Sequence, residues 1–372
     1  MTRDFKLVLI SLITWGIGEG AFTYFQPLYL EQLGASPLVI GGILGAMGLA
    51  MTIVHIPAGY LADRFGRRQL MWSAWMVGIV TVSLMALSKT LVLFSIGVIL
   101  YSLTIFVASP LNSYATAARG DLTVEQALTT LTAGFFLGGI VGPLIGGLLA
   151  EQFGLRSIYY FAFFIFILSA LIILNINPQP REEHLSNPAG EIFKNQIYIR
   201  YLPFVFLVVL ALYLPQPLAP NFLQNQLGIT LQTIGILGAV TNFGNALINL
   251  LFGQLPIKIG LVLGQIFVGT FAALVWKFSQ LPILYIGYFL LGGFRATRSL
   301  LTAQVEKMVR PANLGLAYGI LETVTGLALM VAPLLAGILY ESNPSSPFSA
   351  AIILIIPVLL FTLFRRKMPW KP

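Results

Sequence analysis

Runs of about 20 apolar residues, the length at which a helix crosses the hydrocarbon core of a bilayer, recur along nearly the whole chain. Lipid offers no partner to an open strand edge, and the alternating ten-residue segments of a barrel are absent, which leaves helices as the only spanning option. Charge content agrees. Only 9% of the 372 residues are charged, where a soluble domain carries about 25%. The runs place twelve spans, at 6–30, 38–60, 69–88, 91–112, 126–150, 156–175, 200–222, 231–255, 259–277, 282–304, 314–340 and 347–364. The predicted class is an all-α integral membrane protein. Arg3 and Lys6 ahead of an apolar run resemble a signal peptide, but the run continues to Leu30 without a small-residue cleavage site and reads as the first span.

Basic residues orient the spans. Sixteen of the 21 lie on the side that holds both termini: Arg3, Lys6, Arg64, Arg67, Arg68, Arg119, Arg181, Lys194, Arg200, Lys258, Lys307, Arg310, Arg365, Arg366, Lys367 and Lys371. Lys89, Arg156 and Lys277 lie opposite, while Arg295 and Arg298 fall within a span. The positive-inside rule then predicts cytoplasmic termini and a multi-pass protein of the plasma membrane. The net charge of +8 is accounted for by this bias and by lipid headgroups, so nucleic acid is not an expected partner.

The chain also repeats itself. Gln32-Leu33-Gly34-Ala35-Ser36 with Ile40-Gly41 returns 194 residues later as Gln226-Leu227-Gly228-Ile229-Thr230 with Ile234-Gly235. Gly59-Tyr60-Leu61 returns as Gly253-Gln254-Leu255, and Gly66 as Gly260. Such a period points to two six-helix pseudo-repeats, residues 1–176 and 200–372, of the kind from which transporters are built. The polar, proline-bearing segment 177–199 reads as a cytoplasmic linker.

Between the second and third spans stands Gly59-Tyr60-Leu61-Ala62-Asp63-Arg64-Phe65-Gly66-Arg67-Arg68. Here the chain resembles the major facilitator superfamily, whose signature loop has the pattern Gly-x-Leu-x-Asp-Arg-x-Gly-Arg-Arg at this place. The resemblance covers essentially the whole chain. It implies that Gly59, Asp63, Arg64, Gly66, Arg67 and Arg68 form a cytoplasmic latch, with Asp63 near the start of span eleven at Pro311-Ala312-Asn313. The second copy has Ile257 and Lys258 where Asp63 and Arg64 stand, so the latch is expected on one side only. A second reading gives these charges only a topological role.

Span five carries Gly134, Gly138, Gly142 and Gly146, each four apart, with Gly139, Pro143 and Gly147 beside them. The glycines form a smooth ridge for close helix approach, and Pro143 is expected to bend the helix. The stretch resembles the Gly-Pro motif of the superfamily's antiporter and drug-efflux branch, although ordinary packing gives the same pattern. Ala332-Pro333 and Ala336-Gly337 echo it in span eleven.

Charges inside spans are costly and therefore candidate sites. Trp15, Glu19, Phe22 and Gln26 share one helical face of span one. In the superfamily spans one, four, seven and ten line the cavity, so the resemblance places this face there. Burial disfavours the charged carboxylate, which makes Glu19 the proton-coupling candidate; a structural hydrogen bond is the other reading. Arg295 and Arg298 lie in span ten and Glu322 at matching depth in span eleven, suggesting an Arg295–Glu322 pair or a cavity charge for an anionic group. Asn242, Asn245 and Asn249 form a stripe on span eight, with His55 the repeat counterpart of Asn249. They read as interhelical hydrogen-bonding groups or as solute contacts. Pro215, Pro217 and Pro220 forbid a continuous helix in the outer half of span seven, which suggests a gate.

There is no cysteine, the two histidines do not form a ligand cluster, and no Walker loop or nucleophile elbow occurs. The expected protein is not an enzyme and carries no cofactor or metal. It is a monomeric secondary transporter working by alternating access on small solutes, with membrane lipids and protons as partners. Proton-coupled efflux of small amphipathic compounds is the preferred activity. Uptake of a small polar or anionic metabolite is the alternative, and a non-transporting receptor or scaffold on the same fold is the alternative of another class.

Overall fold

The computed structural model describes residues 1–178, 192, 195–310 and 314–364, with side chains described outside 55–65, 109, 125, 314 and 315. The body of the predicted linker, Pro311-Ala312-Asn313 and the basic tail from Arg365 lie outside the described residues. All regular elements among the described residues are helices. Eleven of them are long and apolar enough to cross a membrane.

The chain divides into two units. The first comprises Met1–Ala35, Ile53–His184 and Gly228–Ala239. It holds α1 (Arg3–Thr23), α2 (Gln26–Gln32), the second part of α3 (Pro37–Phe65), α4 (Arg67–Leu87), α5 (Leu91–Ser102), α6 (Ala108–Ala118), α7 (Val124–Phe153) and α8 (Arg156–Ile173). Helix α1 packs on α7 and α8, and α4 packs on α8 and α5. The helix starts follow local chemistry. Thr2 caps α1 through Phe5 N, and Thr123 and Gln126 cap α7 reciprocally. Arg156 donates to the carbonyls of Ala86 and Leu87 at 2.7 and 2.9 Å, closing the open end of α4.

The second unit comprises Ser36–Thr52, Leu185–Leu227 and Val240–Pro372. It holds the first part of α3, then α9 (Gln196–Tyr213), α10 (Ala219–Leu227), the second part of α11 (Leu231–Phe252), α12 (Ile257–Lys277), α13 (Leu281–Leu290), α14 (Gly293–Glu306), α15 (Leu314–Ser342) and α16 (Ser346–Phe364). Here α9 packs on α15 and α16, and α12 packs on α16, α14 and α13. Taking the predicted spans in order, first against fifth and sixth and third against fourth and sixth recurs as seventh against eleventh and twelfth and ninth against tenth and twelfth.

Two expectations change. The signature segment is no open loop: α3 runs through it to Phe65, and α4 starts at Arg67. The break comes at Gly66, which has φ 89°, a conformation that costs glycine nothing. The tenth span is not one helix but two, of 10 and 14 residues, joined at Leu291-Gly292. Gly292 and Gly244 meet backbone to backbone, and a Cβ on Gly292 would stand 2.6 Å from Asn245 N. Uninterrupted helix with side chains would not fit that approach.

Candidate functional site

Spans one, four, seven and ten, those that the resemblance assigns to the cavity, are each interrupted. Span one breaks at Tyr24-Phe25. Span four passes through a 3-10 turn, Leu103–Val107, just ahead of Pro110, whose ring and missing N–H loosen the preceding turn. Span seven breaks over 214–218, at Pro215 and Pro217, and resumes at Ala219. Non-helical backbone at membrane depth is tolerated where it is buried in protein or lines a cavity.

In the first unit the site is built on α1. Trp15 Nε1 donates to Glu19 Oε2 at 3.0 Å, and Tyr101 OH, on the last turn of α5, donates to the same oxygen at 2.8 Å. With two donors converging on it, Oε2 is an acceptor only, so a proton carried by this side chain belongs on Oε1. Aromatic rings hold the geometry. Trp15 stacks on Phe166, centroids 4.1 Å apart, and lies 5.0 Å from Trp75. Phe22 meets Tyr101 edge-on at 5.3 Å. Gly78 leaves room for the Trp15 indole. Trp75 Nε1 donates to Ser169 Oγ at 2.8 Å, and the Ser169 and Ser11 hydroxyls bond each other, tying α4, α8 and α1 together.

Trp15, Phe22 and Gln26 are buried, and Glu19 is the half-exposed member of the stripe. Gln26 opens α2 with its Nε2 buried and without a hydrogen-bond partner. Tyr101 and Phe166 were not among the sequence candidates. A tyrosine or phenylalanine in an apolar span carries no pattern that marks it; the one available signal was that Tyr101 lies on span four.

In the second unit Arg298 Nη2 lies 3.1 Å from Glu322 Oε2. Arg298, one turn beyond Arg295, is thus a partner of Glu322. Each partner is 34% exposed, and Arg295 is exposed on the same helix. Asn242, Asn245 and Asn249 are half-buried on α11.

The glycine ridge of α7 faces α1. A Cβ on Gly138 would meet Ile13 O and Ile17 N, one on Gly142 would meet Ile17 O and Ala21 N, and one on Gly146 would meet Ala21. Gly134 meets only the Leu9 and Ile13 side chains. On the flank of the same motif, Pro143 and Gly147 take the first turns of α11 at Leu231, Gln232 and Gly235.

At the signature segment the side chains of His55, Gly59, Asp63 and Arg64 lie outside the described ones. The Arg68 guanidinium covers the Trp72 ring at 4.4 Å. Arg67 and Arg119, with Asn112, Ser113 and Thr116, line a cavity of about 290 Å³. No group of histidine, aspartate and glutamate side chains among the described residues is arranged to hold a metal.

Eleven helices long and apolar enough to cross a membrane, among them interrupted ones, mark a multi-pass membrane protein. The Major Facilitator Superfamily model matches residues 7–209 and 201–372, and the chain belongs to that family. Multidrug resistance protein 2 of Bacillus subtilis is 25% identical over 98% of this chain and 95% of its own. Multidrug resistance protein MdtG of Escherichia coli is 36% identical over 40% of this chain and 38% of its own. The crystal structure of the nucleoside transporter NupG superposes with a TM-score of 0.80 at 16% identity, covering 98% of each chain, which is a likeness of fold. The protein is accordingly a transporter of small molecules in the plasma membrane.

Proposed function

We propose that the protein exports small amphipathic compounds in exchange for protons, by alternating access. The observation that carries this reading is Glu19: a half-exposed carboxylate at span depth, held on one oxygen by Trp15 and Tyr101. Such a group can take up a proton when water reaches it and release it elsewhere in the cycle. The relatives whose names carry multidrug resistance favour efflux over uptake.

In this reading the chain crosses the membrane twelve times, with α13 and α14 together forming the tenth crossing. Both termini are cytoplasmic, the halves are 1–176 and 200–372 around a linker at 177–199, and the working unit is a monomer among lipids. The signature segment, including Gly59, Asp63 and Arg64, serves as the cytoplasmic latch. A second reading, uptake of a small polar or anionic solute, rests on the exposed Arg295 beside the Arg298–Glu322 pair. The test is flux of a panel of lipophilic cations, nucleosides and organic anions in proteoliposomes, with and without a pH gradient. Gradient-driven movement of the amphipathic members supports the proposal. Saturable flux of the polar or anionic members alone supports uptake, and no saturable flux of any solute overturns both.

A further inference from the structure

The first turns of α3 and α11 are repeat counterparts, and both are finished by a carboxylate from far along the chain. In α11 the three leading N–H groups are all engaged. Glu151 Oε2, at the end of α7, accepts from Leu231 N at 2.9 Å and from Gln232 N at 3.4 Å. Thr230 Oγ1 accepts from Thr233 N at 3.2 Å. In α3 the first residue is Pro37, which has no N–H to satisfy. Glu341 Oε1, at the end of α15, accepts from Leu38 N at 3.4 Å, and Ser36 Oγ accepts from Val39 N at 3.4 Å. Both helix starts are therefore fully accounted for, and in each case a glutamate from another helix supplies what the local cap does not.

The glycines beneath repeat the arrangement. A Cβ on Gly147 would stand 3.1 Å from Gln232 Cα, and one on Gly337 would stand 3.0 Å from Leu38 Cα. Gly235 abuts the Pro143 carbonyl as Gly41 abuts that of Pro333. Glu151 and Glu341 are 190 residues apart, as are Pro143 and Pro333. Both glutamates are exposed, so neither is needed to fill a core.

We propose that Glu151 and Glu341 are a matched pair of outer clasps, each fastening the first turn of a helix from the opposite sequence repeat, and that releasing them is part of opening the transporter to the outside. A negative charge at a helix N-terminus is stabilising, and the contact is lost when the helix start moves away. The two clasps are unequal: Glu151 holds two N–H groups and Glu341 holds one. The proposal rests on the alternating-access reading.

The chain has no cysteine, so spin labels can be placed cleanly. One label pair is Gln152→Cys with Gln226→Cys, and the other is Gln32→Cys with Ser342→Cys. Distance distributions are measured by pulsed electron resonance in lipid for the unsubstituted clasps, for Glu151→Ala, for Glu341→Ala and for both. Each alanine is expected to raise the ratio of the longer to the shorter distance by about 2- to 5-fold, with the larger effect from Glu151. The effects should multiply in the double variant, because the sites are separate. Glu151→Gln, which keeps an acceptor without the charge, should fall between. Two populations in the parent protein whose ratio the double alanine leaves unchanged would overturn the clasps and leave alternating access standing. A single unvarying distance in the parent under every condition that supports transport would overturn both.

Discussion

At the residue scale the site turns on one oxygen. Glu19 Oε2 receives Trp15 Nε1 and Tyr101 OH together. The amide oxygen of a glutamine can receive both donors as well, so Glu19→Gln should fold and keep the local geometry while being unable to carry a proton. We expect gradient-driven accumulation to be abolished and counterflow of solute to persist in the same vesicles. Intact accumulation by the glutamine variant would remove Glu19 from the coupling. The Arg298–Glu322 pair behaves differently. It is one-third exposed on both sides, so Glu322→Gln should change thermal stability by no more than about 0–1 kcal/mol, and less in high salt. A larger loss would mean that the pair anchors the unit. Glu19, Trp15, Arg298 and Glu322 stand out in the sequence because intramembrane charge and helical spacing are visible in one dimension, and the structure brings Trp15 to Glu19 and Arg298 to Glu322. The sequence did not reach Tyr101 as a donor to Glu19, since helix rotation and partner contacts decide that.

At the element scale the glycine ridge gives a graded series. Gly138 and Gly142 touch the backbone of α1, which cannot move aside, whereas Gly134 meets the flexible ends of Leu9 and Ile13. Gly138→Leu and Gly142→Leu should each cost at least about 1–3 kcal/mol by overpacking, and Gly134→Leu clearly less. Melting temperature in detergent checks the order, and equal effects at all three positions would refute it. Gly319 is the contrast: it lies inside α15 with open space where a Cβ would stand. Gly319→Ala should therefore stabilise by about 0.5–1 kcal/mol through backbone entropy alone, read as a rise in melting temperature. The ridge was legible because its spacing of four is a helix period. The interruption of span ten was not, because Leu291-Gly292 looks like any apolar-glycine pair until Gly244 is brought against it.

At the scale of the whole molecule, the duplication visible in the sequence reappears as the same helix pairings within each repeat, because equivalent apolar faces seek equivalent partners. Its departures carry the mechanism. Span seven is broken by Pro215 and Pro217, which supply no N–H to a helix and force the turn over 214–218. Helix α10 restarts at Ala219, which is 3% exposed. A segment with few backbone hydrogen bonds of its own is the part of a span most easily re-set between two states. We therefore expect a cysteine at Ala219 to react slowly with a water-soluble maleimide in resting vesicles. The rate should rise several-fold when substrate or a pH gradient drives turnover, in line with a population shift between two conformers. Labelling at Ala219 that stays constant under conditions supporting flux would show that the broken half of span seven is a fixed wall, and the outer gate would have to be sought at the first turns of α3 and α11 alone.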